Sequence, residues 1–449
     1  MKEKKKKSDS SASKIAFWTL GCSKNTYDSE QLMSRINQEG YQVVDLKEKP
    51  DVVILNTCGF IDEAKEQSIE AILECCSWKK KNKVEKVVAM GCLTQRYKEE
   101  ISENIPELDA IFGVDQFDQM LDFCKTELRS DESLKCNTDI NLKLTLTPGH
   151  WSYVKVSDGC SNGCSFCAIP SMKGLLKDRS VNDIVEEIKR KYARGVKEFI
   201  IIGQDPTHFG EDATGAKFLD LLKQICEIEG DFWVRVLYAF PGHLSTEILD
   251  FISDNPKMVK YIDMPIQHAN TYMLKRMGRA TTQKKILQLL KHAWSKSPRI
   301  HIRSTAIVGF PGETDEHFQD MINFICNYKF DRLGAFAYSA EEGTPAAKFP
   351  DQVDKETINE RLAKFEEVQG QITEELSNAR IGTKEKVIID AKREDIGPNI
   401  FEARSQAEAP EVDIIMLVES SAAKVGDWRN VLITGYENGE LLAKDLVND

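Results

Sequence analysis

Short apolar runs alternate with longer polar stretches of helical character over residues 14–125. The runs are KIAFWTL, DVVILNT and KVVAM, and helix-like stretches follow them at residues 28–39, at residues 64–78 and beyond residue 92. Buried strands that alternate with helices in this way predict a parallel α/β sheet. Residues 14–125 are therefore expected to form an N-terminal α/β domain.

The same alternation returns after a polar, aperiodic segment at residues 126–147, which we predict to be a linker. Six apolar runs predict strands, namely SYVKVS, EFIIIG, WVRVLY, YIDMPI, IRSTAIVG and RLGAFAY. Six βα units predict a full or partial (β/α) barrel over residues 148–380, and the chemistry of such barrels lies at the C-terminal strand ends. A helix rich in Glu, Lys and Gln is expected to leave the barrel at residues 355–380.

Residues 381–449 have a third pattern. Their apolar runs are short and are broken by Gly, Pro and Asn, which predicts a small antiparallel β-barrel. From residue 382 onward there are 14 acidic and 8 basic side chains, a net charge of −6. The predicted fold class is thus α/β, with a parallel α/β domain, a (β/α) barrel and a terminal β-barrel.

The charge distribution bears on location and partners. Residues 1–13 are basic and lack the apolar stretch of a secretory signal, which predicts a disordered, solvated tail. No segment approaches the ~18 apolar residues of a membrane helix, so we expect a cytoplasmic protein that does not bind membranes. The net charge of −12 favours a basic protein partner over bare RNA, because proteins that bind nucleic-acid backbones are usually basic.

The chain has 12 cysteines, and in a cytoplasmic protein clustered cysteines indicate metal or redox chemistry rather than disulfides. Half of them lie in helix-like or linker segments without ligand spacing, and we interpret these as buried or incidental thiols. They are Cys75, Cys76, Cys124, Cys136, Cys226 and Cys326.

Cys160, Cys164 and Cys167 have the spacing C-x3-C-x2-C in the run DGCSNGCSFCAIP. Cysteine thiolates are the usual ligands of iron–sulfur clusters, and three of them leave one iron of a [4Fe–4S] cluster without a protein ligand. An open coordination position is what a metal site needs in order to act on a bound molecule. The alternative is a structural zinc site, for which the fourth ligand is missing nearby, since the next histidine is His208.

Cys22, Cys58 and Cys92 each follow one of the three predicted N-terminal strands. In parallel α/β sheets, ligands bind outside the carboxyl ends of the strands, so these thiols are expected to converge. The arrangement predicts a second iron–sulfur cluster. The alternative is three cysteines at helix starts that do not meet.

These motifs resemble the methylthiotransferase branch of the radical S-adenosylmethionine (SAM) enzymes. TLGCSKNTYDSE, NTCGFIDEAKEQS and GCLTQRY resemble the three separate cysteine motifs of that branch, and C-x3-C-x2-C resembles its SAM-cleaving loop. The resemblance covers nearly all the chain, and it implies a methylthiotransferase domain, a radical SAM barrel and a TRAM-like β-barrel for substrate binding, in this order. It also implies two [4Fe–4S] clusters, which are bound at Cys160, Cys164, Cys167 and at Cys22, Cys58, Cys92.

The resemblance implies a radical mechanism. Cleavage of one SAM at the barrel cluster would give a 5′-deoxyadenosyl radical, and a second SAM would methylate a sulfur on the N-terminal cluster. A radical suits an unactivated β-carbon, whose C–H is not acidic enough for a side-chain base. By the same resemblance, the predicted SAM contacts are Phe166, Gly203, Gln204, Arg179, Gln267 and Arg303. The chain departs from the family pattern in the segment SMKGLLKDRS and at Pro206.

Within the branch, the RimO type modifies an aspartate of the twelfth protein of the small ribosomal subunit. GQDPTHFG at 203–210 and RSQAEAPEVDI at 404–414 resemble RimO-type segments, and Asp205 stands where the tRNA-modifying type more often has Asn. The acidic 404–414 segment would also suit a basic ribosomal protein. The implied partners are that protein or the whole small subunit, and an electron donor that the sequence does not identify.

Two alternatives have other functions. A tRNA adenosine methylthiotransferase would share the chemistry, but the acidic terminal domain and Asp205 argue against it. A non-catalytic iron–sulfur or RNA-binding scaffold would need neither a six-strand barrel nor an open cluster site.

Overall fold

The computed structural model describes residues 12–135, 145–211 and 217–446. Most of the predicted tail, part of the predicted linker and Cys136 therefore lie outside the described residues. The chain divides into two compact units, one of residues 1–147 with 168–174 and one of residues 148–167 with 175–449. No helix of the described residues has both the length and the apolar character to cross a membrane.

The first unit is built on a five-stranded parallel sheet in the order β2-β1-β3-β4-β5. The strands are β1 Lys14–Thr19, β2 Gln42–Val43, β3 Val52–Thr57, β4 Lys86–Gly91 and β5 Ala110–Ile111. The helices are α1 Ser23–Gln38, α2 Asp62–Lys80, α3 Cys92–Arg96, α4 Lys98–Asn104, α5 Phe117–Glu127 and α6 Ile169–Lys173.

Strand β3 lies at the centre of this sheet and all six of its residues are buried. Successive side chains point to opposite faces, because the side-chain period of a strand is two. Ile54 packs against a core that contains residues of α1 and α5, whereas Val53 and Leu55 pack against residues of α2 and α4. Burial on both faces explains why the strand is a continuous apolar run.

The predicted strands of this unit are confirmed, and two edge strands of two residues each were too short to predict. The first part of the predicted linker at 126–147 contains helical structure. Helix α5 continues to Glu127, and a 3-10 helix follows at Glu132–Leu134. The backbone N–H of Asp131 donates to the carbonyl of Gly40 at 2.9 Å, so this segment packs on the domain.

The second unit begins with a six-stranded parallel array. Its strands form two sheets, β6-β9-β10 and β11-β12-β13, and a bridge between Val234 and Met258 connects them. The strands are β6 Trp151–Lys155, β9 Glu198–Ile202, β10 Trp233–Val236, β11 Tyr261–Asp263, β12 His301–Val308 and β13 Arg332–Ala337, with a small pair of β7 Ser157–Asp158 and β8 Lys177–Asp178. The helices are α7 Val181–Ala193, α8 Phe218–Glu227, α9 Thr246–Asp254, α10 Thr271–Arg276, α11 Gln283–Trp294, α12 Asp315–Asn327 and α13 Lys355–Asn378.

All six predicted barrel strands are present. Among the described residues β6 and β13 do not pair with each other, so the barrel is partial. Burial reflects this arrangement, because β9 in the middle of its sheet is buried throughout, whereas the edge strand β13 has Phe336 exposed.

The terminal domain is a closed five-stranded barrel in the order β14-β15-β16-β18-β17. Its strands are β14 Lys384–Lys392, β15 Ile400–Arg404, β16 Met416–Glu419, β17 Trp428–Glu437 and β18 Glu440–Asp445. The prediction of a purely antiparallel barrel is wrong in one pairing. Strand β18 returns from β17 through a tight turn at Asn438 and Gly439, and it closes the barrel by running parallel to β16.

Buried ion pairs join this barrel to the N-terminal ends of the parallel strands. Glu198, the first residue of β9, accepts hydrogen bonds from Arg235 Nε and Arg404 Nη1, both at 2.7 Å. All three side chains are almost fully buried. The opposite, C-terminal strand ends carry the cysteine loop.

Candidate iron–sulfur and SAM sites

The three N-terminal cysteines lie at the carboxyl ends of neighbouring strands. Cys22 precedes α1 directly after β1, Cys58 follows β3, and Cys92 is the first residue of α3 after β4. Strands β1, β3 and β4 are adjacent in the sheet. The topology therefore brings the three cysteines to one edge of the sheet, as predicted.

Glycines allow the segments that carry these thiols to approach each other closely. A Cβ on Gly21 would lie 3.0 Å from Cys58 Sγ, and a Cβ on Gly59 would lie 2.8 Å from the backbone of Leu93. The φ of Gly21 is +94°, in the region that favours glycine. Ser68 fixes Cys58 from α2, because its hydroxyl accepts from the Cys58 N–H and donates to the Cys58 carbonyl, both at 3.0 Å.

The electrostatics of this edge favour neutral thiols at Cys58 and Cys92. Burial raises the pKa of Cys58, and it raises the pKa of Cys92 to about 12. Cys22 adds to both shifts, and Lys173 opposes the shift at Cys92. Without a metal these thiols stay protonated, so metal binding would release protons. Lys173 is itself buried and forms an ion pair with Asp28 at 3.0 Å.

The second cysteine set lies on the loop after β6 and β7. Hydrogen bonds hold this loop, since Asn162 N–H donates to Cys160 Sγ at 3.4 Å and Ser165 N–H donates to the carbonyl of Met277 at 2.9 Å. Cys160, Cys164 and Cys167 are partly exposed, although burial still raises the pKa of Cys160.

Neither cysteine set is closed around a single ion. Three thiolates around zinc at ~2.3 Å would lie only about 3.8 Å apart. Among the described residues, Asp205, His208 and His243 are the group that brings three ligand atoms within 4.8 Å of one another. The all-thiolate donors of both cysteine sets suit an iron–sulfur cluster.

The Asp205 cluster braces the cysteine loop. The carboxylate accepts hydrogen bonds from Asn162 Nδ2, Thr207 Oγ1 and His243 Nδ1 at 2.8, 2.5 and 2.7 Å. Burial alone would raise the pKa of Asp205, but these hydrogen bonds lower it. His208 stacks on His243 with ring centroids 4.0 Å apart. The three side chains could hold a divalent ion, but in this structure the carboxylate is already used to orient the loop.

Three of the predicted SAM contacts, Gly203, Gln204 and Gln267, lie at or near the C-terminal ends of barrel strands. Gly203 and Gln204 follow β9, and a Cβ on Gly203 would lie 2.9 Å from Ser157 Oγ. Gln267 has a φ of +67° and bridges to Ala306 near the end of β12. The Oε1 atoms of Gln204 and Gln267 and Ser157 Oγ are buried, and none has a hydrogen-bond partner among the described residues. Such orphaned atoms suit a polar ligand such as SAM.

Phe166 lies between the second and third cysteines of the loop. Its ring packs against Phe310 at a centroid distance of 6.4 Å, in a cluster with Met273, Met277 and Ala346. The ring therefore supports the loop from the barrel side.

The structure gives Arg303 a different role from the predicted one. Arg303 is the third residue of β12, and its Nη1 donates to Asp263 Oδ1 at 3.1 Å while its Nε lies 3.5 Å from Asp413 Oδ1. It thus belongs to the junction with the terminal barrel. The sequence could not show this, because both partners are distant along the chain.

Arg179 is the other arginine predicted to bind the carboxylate of SAM. It already pairs with carboxylates of the protein. Its guanidinium donates to Asp183 Oδ2 at 2.5 Å and to the Lys155 carbonyl at 2.7 Å, and it lies 2.7 Å from Glu187 Oε2. These contacts tie β6 to α7. Neither arginine is therefore supported as a ligand of the SAM carboxylate.

The carboxylates of the acidic segment at 404–414 pair with other residues of this unit and do not form the surface for a basic partner that the sequence suggested. Glu408 is fully buried and pairs with Arg380, Tyr153 donates its hydroxyl to Glu411, and Tyr261 donates its hydroxyl to Asp413, both at 2.7 Å. Burial raises the pKa of Asp413. The motif is structural, because it seals the junction between the two barrels of this unit.

Three family models match the chain in the predicted order. They are the uncharacterized protein family UPF0004 at residues 14–113, the radical SAM superfamily at residues 154–325 and the TRAM domain at residues 381–445.

Whole-chain relatives decide the family. The chain is 39% identical over 438 residues to the ribosomal protein uS12 methylthiotransferase RimO of Clostridioides difficile, covering 96% of this chain and 98% of that protein. It is 38% identical to the RimO protein of Bdellovibrio bacteriovorus, covering 97% and 98% of the two chains. The chain belongs to the RimO family of radical SAM methylthiotransferases. This confirms the resemblance described above.

Solved structures agree with the RimO fold assignment. The chain is similar to the radical SAM methyltransferase TsrM of Kitasatospora setae in its complex with tryptophan and a SAM analogue, with a TM-score of 0.58, 13% identity, and coverage of 82% and 91% of the two chains. The same protein with cobalamin and a [4Fe–4S] cluster gives a TM-score of 0.53 at 14% identity, over 75% and 77%. At these identities the likeness concerns the fold alone.

Proposed function

We propose that this RimO-family chain inserts a methylthio group at the β-carbon of an aspartate in ribosomal protein uS12, and that it uses two SAM molecules and two [4Fe–4S] clusters. The substrate follows the relatives that bear this name over nearly their whole length. Two observations support the two-cluster chemistry. Cys22, Cys58 and Cys92 converge at three adjacent strand ends of the first unit, and the second unit has its own C-x3-C-x2-C loop.

Each cysteine set would hold one cluster. Cys160, Cys164 and Cys167 would hold the SAM-cleaving cluster, and Cys22, Cys58 and Cys92 would hold the auxiliary one. When bound, the first would supply the electron that cleaves SAM to the hydrogen-abstracting radical, and the second would hold the sulfur that is methylated and transferred.

The residues around the loop would position SAM. Gln204 and Gln267 offer buried oxygens without partners in the described structure, and an ammonium group donates to such acceptors. Gly203 lets the strand end approach Ser157 closely, and Phe166 supports the loop. Asp205 keeps the loop in place through Asn162.

The proposed partner is basic uS12, alone or in the small subunit, together with an external electron donor. The net charge of −12 favours a basic partner. The carboxylates of residues 404–414 do not add to this preference, because they pair with groups of the protein itself. With a ribosomal substrate, the proposed reaction would take place in the cytoplasm.

Cys58→Ala tests the division of labour between the two sets. We expect this variant to cleave SAM under reducing conditions and to transfer no methylthio group to uS12. Cys75→Ala is the control, since Cys75 is also buried but lies in α2 within an apolar core. Methylthio transfer by the Cys58→Ala variant would refute the role of the N-terminal set.

A further inference from the structure

Arg279 is a buried cation beside the barrel cysteine loop. Only 9% of the surface of this residue is exposed, and its Nη1 donates a hydrogen bond to Cys164 Sγ at 3.7 Å. Nη2 donates to the Pro265 carbonyl at 2.6 Å, and the guanidinium lies 4.0 Å from the centroid of the Phe240 ring.

This arginine forms no ion pair with a carboxylate in the part of the chain that the structure describes. Its Nε is buried and has no hydrogen-bond partner there. The other buried arginines of this unit do have carboxylate partners, as Arg235 and Arg404 have in Glu198. A buried charge without a counter-ion is strongly unfavourable, so the position calls for an anion.

The turn that carries Arg279 is locked onto the cysteine loop. A Cβ on Gly278 would lie 2.3 Å from the carbonyl oxygen of Gly163, and Gly278 has a φ of +67°. Ser165 donates two hydrogen bonds to this turn, from its N–H to the Met277 carbonyl at 2.9 Å and from its hydroxyl to the Arg276 carbonyl at 3.1 Å. The guanidinium is thus held in place against the loop.

We propose that Arg279 is the counter-charge of the iron–sulfur cluster at Cys160, Cys164 and Cys167, and that it raises the reduction potential of that cluster. This inference rests on the proposed function, which places the cluster on this loop. A reduced cluster carries one more negative charge, and a fixed cation with an N–H donated to a thiolate stabilises that state. Arg279 is a positioning residue. It does not contact the reacting atoms of SAM, and it affects SAM cleavage by making the cluster easier to reduce.

The test measures the midpoint potential by EPR during a redox titration. The full chain with Cys22, Cys58 and Cys92 replaced by Ala is the parent, so that one cluster gives the signal. For Arg279→Gln we expect the reduced-to-oxidised ratio at a fixed potential to fall about tenfold, equivalent to about 59 mV for a one-electron couple. Arg276→Gln is the control, because Arg276 lies in the same turn but pairs with Asp351. Its midpoint should equal that of the parent.

Several outcomes decide the matter. An unchanged midpoint potential in Arg279→Gln overturns the inference. If SAM binds more weakly to that variant at the unchanged midpoint, Arg279 is a SAM ligand instead. If the Gln variant loads no iron, Arg279→Lys takes its place. Lysine keeps the charge, so its midpoint should stay within the tenfold equivalent of the parent; a fall of about 59 mV or more would show that the charge at residue 279 does not set the potential, and would overturn the inference.

The parent separates this inference from the proposed function. A parent that gives no iron–sulfur signal overturns the proposed function, and this inference with it. A parent with a normal signal, whose midpoint is unaffected by Arg279→Gln, overturns this inference alone.

Discussion

Asn162 donates from its side-chain amide to Asp205 Oδ2 at 2.8 Å, and this bond joins the cysteine loop to the end of β9. The loop thereby acquires a fixed position relative to the strand ends where Gln204 offers its unpaired oxygen. Because Asp205 also accepts from Thr207 and His243, one buried carboxylate organises three segments.

Asp205→Asn should loosen the loop. An amide cannot accept the three hydrogen bonds as a carboxylate does, and a hydrogen bond to a charged group contributes about 1.5–3 kcal/mol. We expect at least a tenfold drop in SAM cleavage and less iron on the barrel loop, measured in the chain without the N-terminal cysteines. Asp220→Asn, at the start of α8, is the control. Full iron content with full SAM cleavage in Asp205→Asn would show that the carboxylate does not position the loop.

Gly21→Ala should disrupt the N-terminal cysteine site alone. The new Cβ would lie 2.8 Å from Cys58 Cβ, and the φ of +94° adds strain of ~1–3 kcal/mol. We expect the iron content to fall to about half of the parent value while SAM cleavage persists. Gly195→Ala is the matched control, since Gly195 has a φ of +104° but no atom within 4 Å of its Cβ position. Equal iron loss in both variants would mean that backbone strain, and not contact with Cys58, is responsible.

The junction between the two barrels should weaken at low pH. Burial alone would raise the pKa of Glu408, but Arg380 and Arg332 outweigh it and lower the pKa from 4.5 to about 2. The folded pKa is below the unfolded one, so this contribution to stability is complete above about pH 4.5 and is lost as the pH falls toward 2. Chemical unfolding at a series of pH values should show this loss.

Glu408→Gln provides the check on that assignment. The variant should be less stable at neutral pH by about 1.5–3 kcal/mol, because the buried Arg380 loses one of its two carboxylate partners and keeps Glu385. It should also lose part of the pH dependence below pH 4.5. A variant with the stability and the acid profile of the parent would show that Glu408 does not carry the effect.

Arg303→Met should destabilise the protein without changing SAM binding. Arg303 lies between Asp263 and Asp413, and its loss leaves buried carboxylates unpaired. We expect a lower Tm and an unchanged Kd for SAM by calorimetry on the reconstituted protein. Gln267→Ala should have the opposite pattern, with a near-normal Tm and a weaker Kd. A selective loss of SAM affinity in Arg303→Met would restore the role that the sequence suggested.

The convergence of Cys22, Cys58 and Cys92 could be predicted from sequence because each follows an apolar run, and parallel strands align their carboxyl ends. Cys160, Cys164 and Cys167 could be recognised from their C-x3-C-x2-C spacing. The strands themselves could be predicted for a related reason, since β3 and β9 are buried on both faces and therefore read as continuous apolar runs. Edge strands β2 and β5 have two residues each and give no periodic signal.

The roles of the charged residues could not be predicted. In sequence, an acidic run such as 404–414 looks the same whether it faces solvent or pairs with Arg380 and Tyr261 across the junction. Arg279 is a further example, because it lies one turn beyond α10 and meets Cys164 from a position 115 residues away. Such pairings depend on tertiary contacts between distant segments, and one chain contains no local pattern that reports them.

The most direct test of the account offers the reconstituted protein both candidate substrates. Anaerobically loaded protein, a reductant, sulfide and methyl-labelled SAM would be incubated with uS12 or small subunits in one tube and with tRNA in another. The account predicts label on a single aspartate of uS12, located by peptide mass spectrometry, and none on tRNA. Label on tRNA and none on uS12 would contradict it.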